Sequence, residues 1–287
     1  MIFGKQLMPL VIKMSKRQLN DFEAFRKVLS QSKNIVALTG AGVSAESGIP
    51  TFRGEGGLWR KYRSADLATP HAFYTKPHLV WEFYHYRRTI AFNAQPNDAH
   101  KALAKYEKLC EEQGHKFNII TQNVDGLHTK AGSRNVIELH GALHKVVCTN
   151  VKCGTVAENF DDPICEALRG RGDPMVREDL PMIDKKDLPK CKKCSGLLRP
   201  YIVWFGENLD PDILQQARDL VEECDICLVI GTSSVVYPAA MFAPLVAERG
   251  KPVAEFNLTE EPASDLFQFH FPGPCGSTLP RALNIQI

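Results

Sequence analysis

The run Ile35-Val-Ala-Leu38 and the stretch after it, Gly40-Ala-Gly-Val-Ser-Ala-Glu-Ser-Gly-Ile-Pro-Thr-Phe-Arg-Gly54, decide the fold. A short apolar run bounded by glycine reads as a buried strand that stops where the chain must turn sharply. At such a turn backbone N–H groups can face a phosphate with no Cβ in the way, and a following helix N-terminus adds partial positive charge. The expected ligand is a dinucleotide pyrophosphate. A carboxylate for the adenine ribose should follow about 20 residues on, yet Asp66 lies in a polar stretch and not at a strand end. On these residues alone a glycine-rich turn without a ligand stays open. What favours the ligand is Gly48-Ile-Pro-Thr-Phe-Arg-Gly-Glu-Gly-Gly57, which extends the glycine-rich character well past the first turn, as a plain crossover helix would not.

The chain has 287 residues with 44% apolar content, enough for one large or two modest domains with a real core. Thirty-five Lys and Arg against 33 Asp and Glu leave a charge of +2, which argues against nucleic acid as an obligate partner. No apolar run reaches membrane-spanning length, and no signal peptide is recognisable, so a soluble intracellular chain without a membrane partner is expected. Residues 1–19 hold Lys5, Lys13, Lys16 and Arg17 and no acid, with Ile2, Phe3, Leu7, Leu10 and Ile12 between them. This composition is that of a transit peptide without its usual arginine and serine richness; it predicts a mitochondrial matrix location, with cytosol and nucleus as further places. A disordered basic tail is the alternative. Nine cysteines, an odd number in a reducing compartment, point to metal or reactive thiols over a disulfide framework.

Along the chain, Asn20 is a candidate cap for a helix through about Gln31, with Phe22, Phe25, Val28 and Leu29 on one face. Pro77 opens a second helix to Phe92 with Leu79, Phe83, Tyr86 and Ile90 as its buried stripe, and a third runs from Asn97 to Gln113, closed by Gly114. Phe117–Thr121, Val136–Leu139, Tyr201–Phe205, Ile226–Ile230 and Val253–Phe256 read as strands, with helical stretches 211–222 and 238–249 between the later ones. Alternating strands and helices predict an α/β fold with a doubly wound, mostly parallel, Rossmann-like sheet. Between about 145 and 198 the periodic pattern gives way to cysteine, lysine, glycine and proline, which predicts an inserted smaller unit. The expected division is a basic tail (1–19), a dinucleotide-binding unit (20–57, 95–144 and 199–287), and a small unit made of a helical insertion (58–94) and a zinc module (145–198).

Cys148-x4-Cys153 and Cys191-x2-Cys194 can place four thiolates on one tetrahedral Zn2+, which would organise a segment too poor in apolar residues to fold alone. Four sulfur ligands leave no open position, so the zinc is expected to be structural. The x4 spacing departs from the usual x2 in both pairs and makes Cys165 a competitor. Cys224-Asp-Ile-Cys227 runs into a strand and reads as core thiols. Of the nine histidines, His140 stands one residue past a strand and before a glycine, where a neutral imidazole can serve as a general base near neutral pH. His100 and His128 lie in or near helices, where capping or hydrogen bonding explains them.

Taken in order, Gly40-Ala-Gly-x-Ser with Gly48-Ile-Pro-Thr-Phe-Arg-Gly54, Thr121-Gln-Asn-x-Asp-x-Leu-His128, Glu138-Leu-His-Gly141, the paired cysteines, Gly231-Thr-Ser233 and Asn257 resemble the sirtuins, NAD-dependent lysine deacylases. The resemblance covers nearly all of residues 20–283. It implies a large Rossmann-like domain, a smaller zinc-bearing domain, and NAD with acyl-lysine between them. Carried over residue by residue, it assigns NAD contacts to Gly40, Ala41, Phe52, Arg53, Gln122, Asn123, Asp125, Gly231, Thr232, Ser233, Asn257 and Cys275. It makes His140 the base for the nicotinamide ribose hydroxyls and sets Asp125 on the nicotinamide amide. It also places Asn123 on the ribose and its water, and a late-strand asparagine where a ribose carboxylate would otherwise stand. NAD is consumed in such a reaction: the acyl oxygen attacks the ribose carbon as nicotinamide leaves, and the acyl group ends on ADP-ribose.

In Tyr84-His-Tyr-Arg87, residues three apart share a helix face, so a phenol and a guanidinium can meet at one point. Arginine's fork suits a carboxylate, and such a bond in a partly dry pocket contributes about 1.5–3 kcal/mol. Alone, the pair would more often be a solvated face. It matches, however, the Tyr-x-x-Arg of the class III sirtuins, which remove succinyl, malonyl and glutaryl groups, and Ala68 matches the small residue that opens their acyl pocket. By the same resemblance, substrate peptide would pair its backbone with Val203-Trp-Phe205-Gly206-Glu207 and with Val235-Val-Tyr237. Protein mono-ADP-ribosyl transfer and a non-catalytic NAD-sensing module are the other readings; a sensor has no need of a base at His140.

Overall fold

The computed structural model describes residues 18–51, 57–175 and 180–287. Most of the basic tail, and Phe52 and Arg53, lie outside the described residues. The chain enters through β1 (Gln18–Leu19) and turns into α1 (Phe22–Leu29). The cap is one residue later than expected. Asn20 takes φ 53°, and the Asp21 carboxylate accepts the Ala24 N–H at 2.9 Å, satisfying one of the amides that a helix start leaves without a partner. β2 (Asn34–Thr39) follows, with Ile35 and Ala37 in one apolar cluster and Val36 and Leu38 in another, the alternation of a strand buried on both faces.

Next comes the single turn α2 (Gly42–Ala45), then, after the glycine-rich loop, the hairpin β3 (Leu58–Trp59) and β4 (Tyr62–Arg63). The helices α3 (Ser64–Leu67), α4 (Pro70–Thr75) and α5 (Pro77–Asn93) follow. α5 does not bury a single stripe: Val80 through His85 are all buried, while Tyr86 and Ile90 are only half-buried. Neighbours on several sides cover it, so amphipathic spacing understates what it hides. α6 (Asp98–Glu112) begins as expected, with the Asn97 side chain accepting the Ala99 and His100 N–H groups, and Gly114 ends it at φ 70°.

The remaining elements are β5 (Lys116–Thr121), α7 (Leu127–Lys130), β6 (Val136–Glu138), β7 (Gly141–Cys148), β8 (Val156–Glu158), β9 (Leu198–Ile202) and α8 (Pro211–Glu223). They are followed by β10 (Ile226–Ile230), α9 (Phe242–Glu248), β11 (Val253–Asn257), β12 (Phe269–Pro272) and α10 (Cys275–Leu283).

Seven strands form one wholly parallel sheet in the order β1-β12-β11-β10-β2-β5-β6. From β2 the chain moves outward through β5 and β6, then returns to the other side of β2 for β10, β11 and β12. This is the doubly wound order, and its reversal lies between β2 and β10, where open α/β sheets place ligands beyond the strand C-termini. One face is covered by α1, α6 and α10, the other by α8 and α9. On the first face Phe25 meets the rings of Phe256, Phe269 and Phe271 edge-on at 5.4–5.8 Å. All four are fully buried, each worth roughly 1.5–3 kcal/mol in apolar burial.

A second, antiparallel sheet in the order β8-β7-β9 packs with α5 in a separate apolar cluster. Here the sequence reading is corrected. The expected strand Tyr201–Phe205 is not a parallel strand: β9 starts at Leu198, ends at Ile202 and pairs antiparallel with β7. The ladder stops because the Glu207 carboxylate accepts the Trp204 N–H at 2.9 Å and binds the Arg199 guanidinium at 2.6 and 2.8 Å, drawing 203–207 into a turn with Gly206 at φ 87°.

Candidate functional site

Gly40, Gly42 and Gly231 let two chain segments touch at the switch point. The Gly40 N–H donates to Ile230 O at 3.0 Å and the Gly42 N–H to Gly231 O at 2.7 Å. A Cβ on Gly231, whose φ is 57°, would stand 2.3 Å from the Val43 nitrogen. Two of the amides expected to face a phosphate are thus committed inside the protein. The polar groups around them come from strand ends: Gln122 Nε2 donates to Thr232 Oγ1 at 3.0 Å and Asn257 Nδ2 to Thr232 O at 2.9 Å, with Ala41 and Ser233 half-buried beside them. Cys275 is buried at the start of α10, its thiol directed at Phe256 O at 3.8 Å. Polar side chains from the ends of β5, β10 and β11 therefore meet beside the glycine turn after β2, a lining that fits a dinucleotide.

Beneath the crevice runs a buried polar network. Asn123 Nδ2 donates to Gly40 O at 3.0 Å and to Ser44 Oγ at 3.2 Å. The Ser44 hydroxyl donates to Asp125 Oδ2 at 2.8 Å, and the Leu127 N–H donates to Asp125 Oδ1 at 2.9 Å. Burial raises the Asp125 pKa, and these two donors pull it back toward the carboxylate. His100 Nε2 lies 3.4 Å from Ser44 Oγ, and its Nδ1 lies 3.1 Å from Asn97 Oδ1. That oxygen already accepts two backbone amides, so Nδ1 carries the proton. Burial pulls His100 down to about 4, which keeps it neutral. His128 is held neutral by burial as well; its Nε2 meets Thr39 Oγ1 at 2.9 Å, and its ring lies 4.8 Å from that of His100.

His140 follows β6 and is half-buried. Its Nδ1 lies 3.1 Å from Gln122 O. A carbonyl only accepts, so Nδ1 bears the proton and Nε2 keeps its lone pair. Burial lowers the His140 pKa and the Gln122 bond partly restores it, leaving a neutral imidazole. Gly141 makes this position possible: at φ 80° a Cβ there would lie 2.0 Å from Tyr201 O.

Tyr84 is fully buried on α5, and its phenol oxygen accepts from Trp204 Nε1 at 2.9 Å. Arg87 is half-buried one turn on, close enough to the Tyr84 hydroxyl and to Asp125 to feel both. Burial lowers the Arg87 pKa, which Tyr84 and Asp125 oppose. With its oxygen accepting from Trp204, Tyr84 has its single O–H left to donate. Ala68 is buried in the same cluster as Tyr84 and Trp204, and its carbonyl accepts the Phe205 N–H at 3.0 Å. Val203 is half-buried, with its N–H on His140 O at 3.0 Å, while Phe205 is exposed, as are Val235, Val236 and Tyr237. Glu207 faces inward to Arg199 and shapes the turn.

The sulfurs of Cys148, Cys153, Cys191 and Cys194 all lie within 4.8 Å of one another, with Cys148–Cys194 at 3.4 Å and Cys153–Cys191 at 3.9 Å. A tetrahedron with Zn–S of about 2.3 Å has edges of ~3.8 Å. The four thiolates fit one structural zinc. The longer first loop is closed by Asn150, whose carbonyl accepts the Cys153 and Gly154 N–H groups at 2.8 and 2.9 Å. Cys165 stands apart from this cluster, half-buried against the apolar cluster that holds α5.

A family model described as Sir2 family matches residues 40–238. The chain belongs to the Sir2 family. It is 55% identical over 269 residues to "NAD-dependent protein deacylase sirtuin-5, mitochondrial" of Canis lupus familiaris, spanning 93% of this chain and 86% of that protein. Against "NAD-dependent protein deacylase" of Daphnia pulex it is 56% identical over 266 residues, 92% of this chain and 96% of that one. Among solved structures it is similar to a crystal structure of a Sir2 homolog–NAD complex, with a TM-score of 0.80 and 43% identity, covering 94% of this chain and 96% of the other.

In this Sir2-family chain, sequence reasoning passed over Ser44, Asn97 and Arg88, and gave His100 only a capping role. Ser44 and Asn97 carried one available signal each, a hydroxyl inside the glycine-rich motif and a helix cap, but neither reveals that both meet at His100. Arg88 is 1% exposed; it donates to Leu143 O, and its Nη2 to Asn159 O at 2.9 Å, Asn159 Oδ1 at 2.7 Å and Asp161 O at 3.1 Å. It ties α5 to β7 and to the loop after β8.

Proposed function

We propose that this chain is an NAD-dependent protein-lysine deacylase that removes succinyl, malonyl and glutaryl groups and acts weakly on acetyl-lysine. The observation that carries the acyl preference is the arrangement of Tyr84 and Arg87: one O–H and a guanidinium share a half-dry pocket beside Asp125. Two donors, one charged, match a terminal carboxylate, whereas an acetyl group offers them nothing. Bound NAD would supply an activated ribose that takes the acyl group as nicotinamide leaves. His140 Nε2 takes the ribose hydroxyl proton, because Nδ1 is already committed to Gln122 O. Asp125, held by Ser44 and Leu127, presents a carboxylate to an amide, and the crevice beyond β2, β10 and β11 orients the dinucleotide. The relatives' names favour this reading over mono-ADP-ribosyl transfer or a sensor.

The same reading divides the chain into a Rossmann-like unit (20–57, 95–144, 199–287) and a small unit (58–94 with 145–198), supported by their separate apolar clusters. It places the protein in mitochondria, as two features suggest: the basic N-terminal composition and the word mitochondrial in a relative's name. Its partners are acyl-lysine proteins or peptides, not nucleic acid or membrane; among the described residues no helix is long and apolar enough to cross a bilayer. The test is incubation with NAD and matched succinyl- and acetyl-lysine peptides, measuring nicotinamide and acyl-ADP-ribose. Faster turnover of the succinyl peptide is expected; equal rates on both would sink the Tyr84 and Arg87 reading.

A further inference from the structure

Glu255 and His270 are fully buried and face each other as registered neighbours on β11 and β12. Neither takes part in the chemistry above. A buried carboxylate and imidazole destabilise a sheet unless both are partnered, and an apolar pair would fill the space at less cost. Their partners lie in one place, the loop from Leu258 to Leu266 that joins the two strands. Glu255 Oε2 accepts the N–H of Ala263, a residue otherwise exposed, at 2.9 Å, and His270 Nε2 lies 2.9 Å from Thr259 O. That carbonyl can only accept, so Nε2 carries a proton. His270 Nδ1 stands 3.2 Å from Glu255 Oε2 without hydrogen-bond geometry, so the two side chains lie against each other while each holds its own point on the loop, Thr259 and Ala263. Glu255 Oε1 also lies 3.4 Å from Asn257 Nδ2, the group that donates to Thr232 O at 2.9 Å. The clasp therefore reaches from the sheet interior to the strand end that lines the crevice.

We propose that Glu255 and His270 are positioning residues for the cofactor, holding the loop after β11 and the Asn257 amide in the shape that receives NAD. This rests on the reading that NAD lies over the C-terminal ends of β10 and β11. The loop has little apolar anchorage of its own: Leu258 and Leu266 are exposed, and Phe267 at its end is buried. The pair acts on NAD affinity and leaves the base and the acyl pocket untouched, since His140, Tyr84 and Arg87 stand on other elements.

The test uses the full chain with three variants, each checked for folding by its thermal transition. Glu255→Gln removes the charge, and Ala263→Pro deletes the N–H that Glu255 accepts without altering the core. Asn257→Ala tests the placement of the cofactor itself. KM for NAD is expected to rise about three- to tenfold in Glu255→Gln and Ala263→Pro, the range that one ordinary hydrogen bond spans. kcat at saturating NAD and KM for the acyl peptide should stay within about twofold. If Asn257→Ala raises the KM for NAD while both clasp variants leave it unchanged, the proposal fails and the cofactor reading stands. If Asn257→Ala leaves it unchanged, both fall. A parallel loss of kcat and of peptide affinity in a folded Ala263→Pro variant would show a merely structural role and overturn the proposal.

Discussion

Thr39, Thr121, Ile230 and Asn257 end four adjacent parallel strands, and the polar side chains just past them converge because the strands are held in register by a core of fully buried side chains. Tyr84 and Arg87, by contrast, stand on a helix packed against a short antiparallel sheet, whose outer end is closed by four cysteines. In the first region apolar burial alone sets the geometry; in the second an apolar cluster holds α5 and four thiolates that fit one zinc close the far end of the sheet. The proposed base and cofactor crevice thus stand at the ends of the parallel sheet, while the proposed acyl pocket stands beside the element that the thiolate cluster closes.

The comparison predicts its own largest effect. Stripping the metal with a strong chelator, or Cys191→Ser, should abolish turnover of acyl-lysine peptide and melt the small unit while the parallel sheet persists. Native mass measurement of bound zinc together with a two-step thermal unfolding curve reads this out; a metal-free protein with full activity and one unchanged transition would break the comparison.

Within the rigid frame, His140→Ala should lower kcat by about 10²–10⁴ with zinc content and melting unchanged. The accompanying pH profile follows from the sign of its shift. Burial holds the His140 pKa below the ordinary imidazole value, so the basic form persists to lower pH. Activity should rise with pH through a limb centred below about 6.5 and then level off. A limb centred above that value would contradict the assignment.

The smallest effects separate two neighbouring arginines. Arg87→Met should lower kcat/KM on succinyl-lysine about ten- to hundredfold, the worth of a charge-assisted bond, while sparing the weak acetyl activity. Arg88→Met, which removes hydrogen bonds to backbone carbonyls and Asn159 and a cation–π contact with Phe92, should lower thermal stability and leave the succinyl-to-acetyl ratio unchanged. Parallel loss of both activities in Arg87→Met would mean that it, too, is an anchor.

Much of this was legible in the chain. Strands at 35–38, 117–121, 226–230 and 253–256 stood out because parallel strands are buried on both faces and read as unbroken apolar runs. The thiolate set stood out because metal ligands cluster in sequence around tight turns. The strand β12 and the short edge strand β1 escaped, and Tyr201–Phe205 was assigned to the wrong sheet. An apolar run tells that a strand is buried but not which neighbour pairs with it. The stripe expected on α5 failed for a related reason: Tyr84 and Trp81 are hidden by elements distant in sequence.

By itself the sequence determined the alternation of elements, the glycines at the first turn, the four thiolates and the presence of a Tyr-x-x-Arg pair. Each is a matter of local spacing and residue chemistry. Only the tertiary structure decided that Gly40 and Gly42 give their amides to β10's end, that Ser44, Asp125, Asn123 and His100 form one network, and that Glu255 faces His270 under the cofactor loop. Those contacts join residues on different strands, helices and loops. Strand order and register bring them together, and neither is written in any one stretch of the chain.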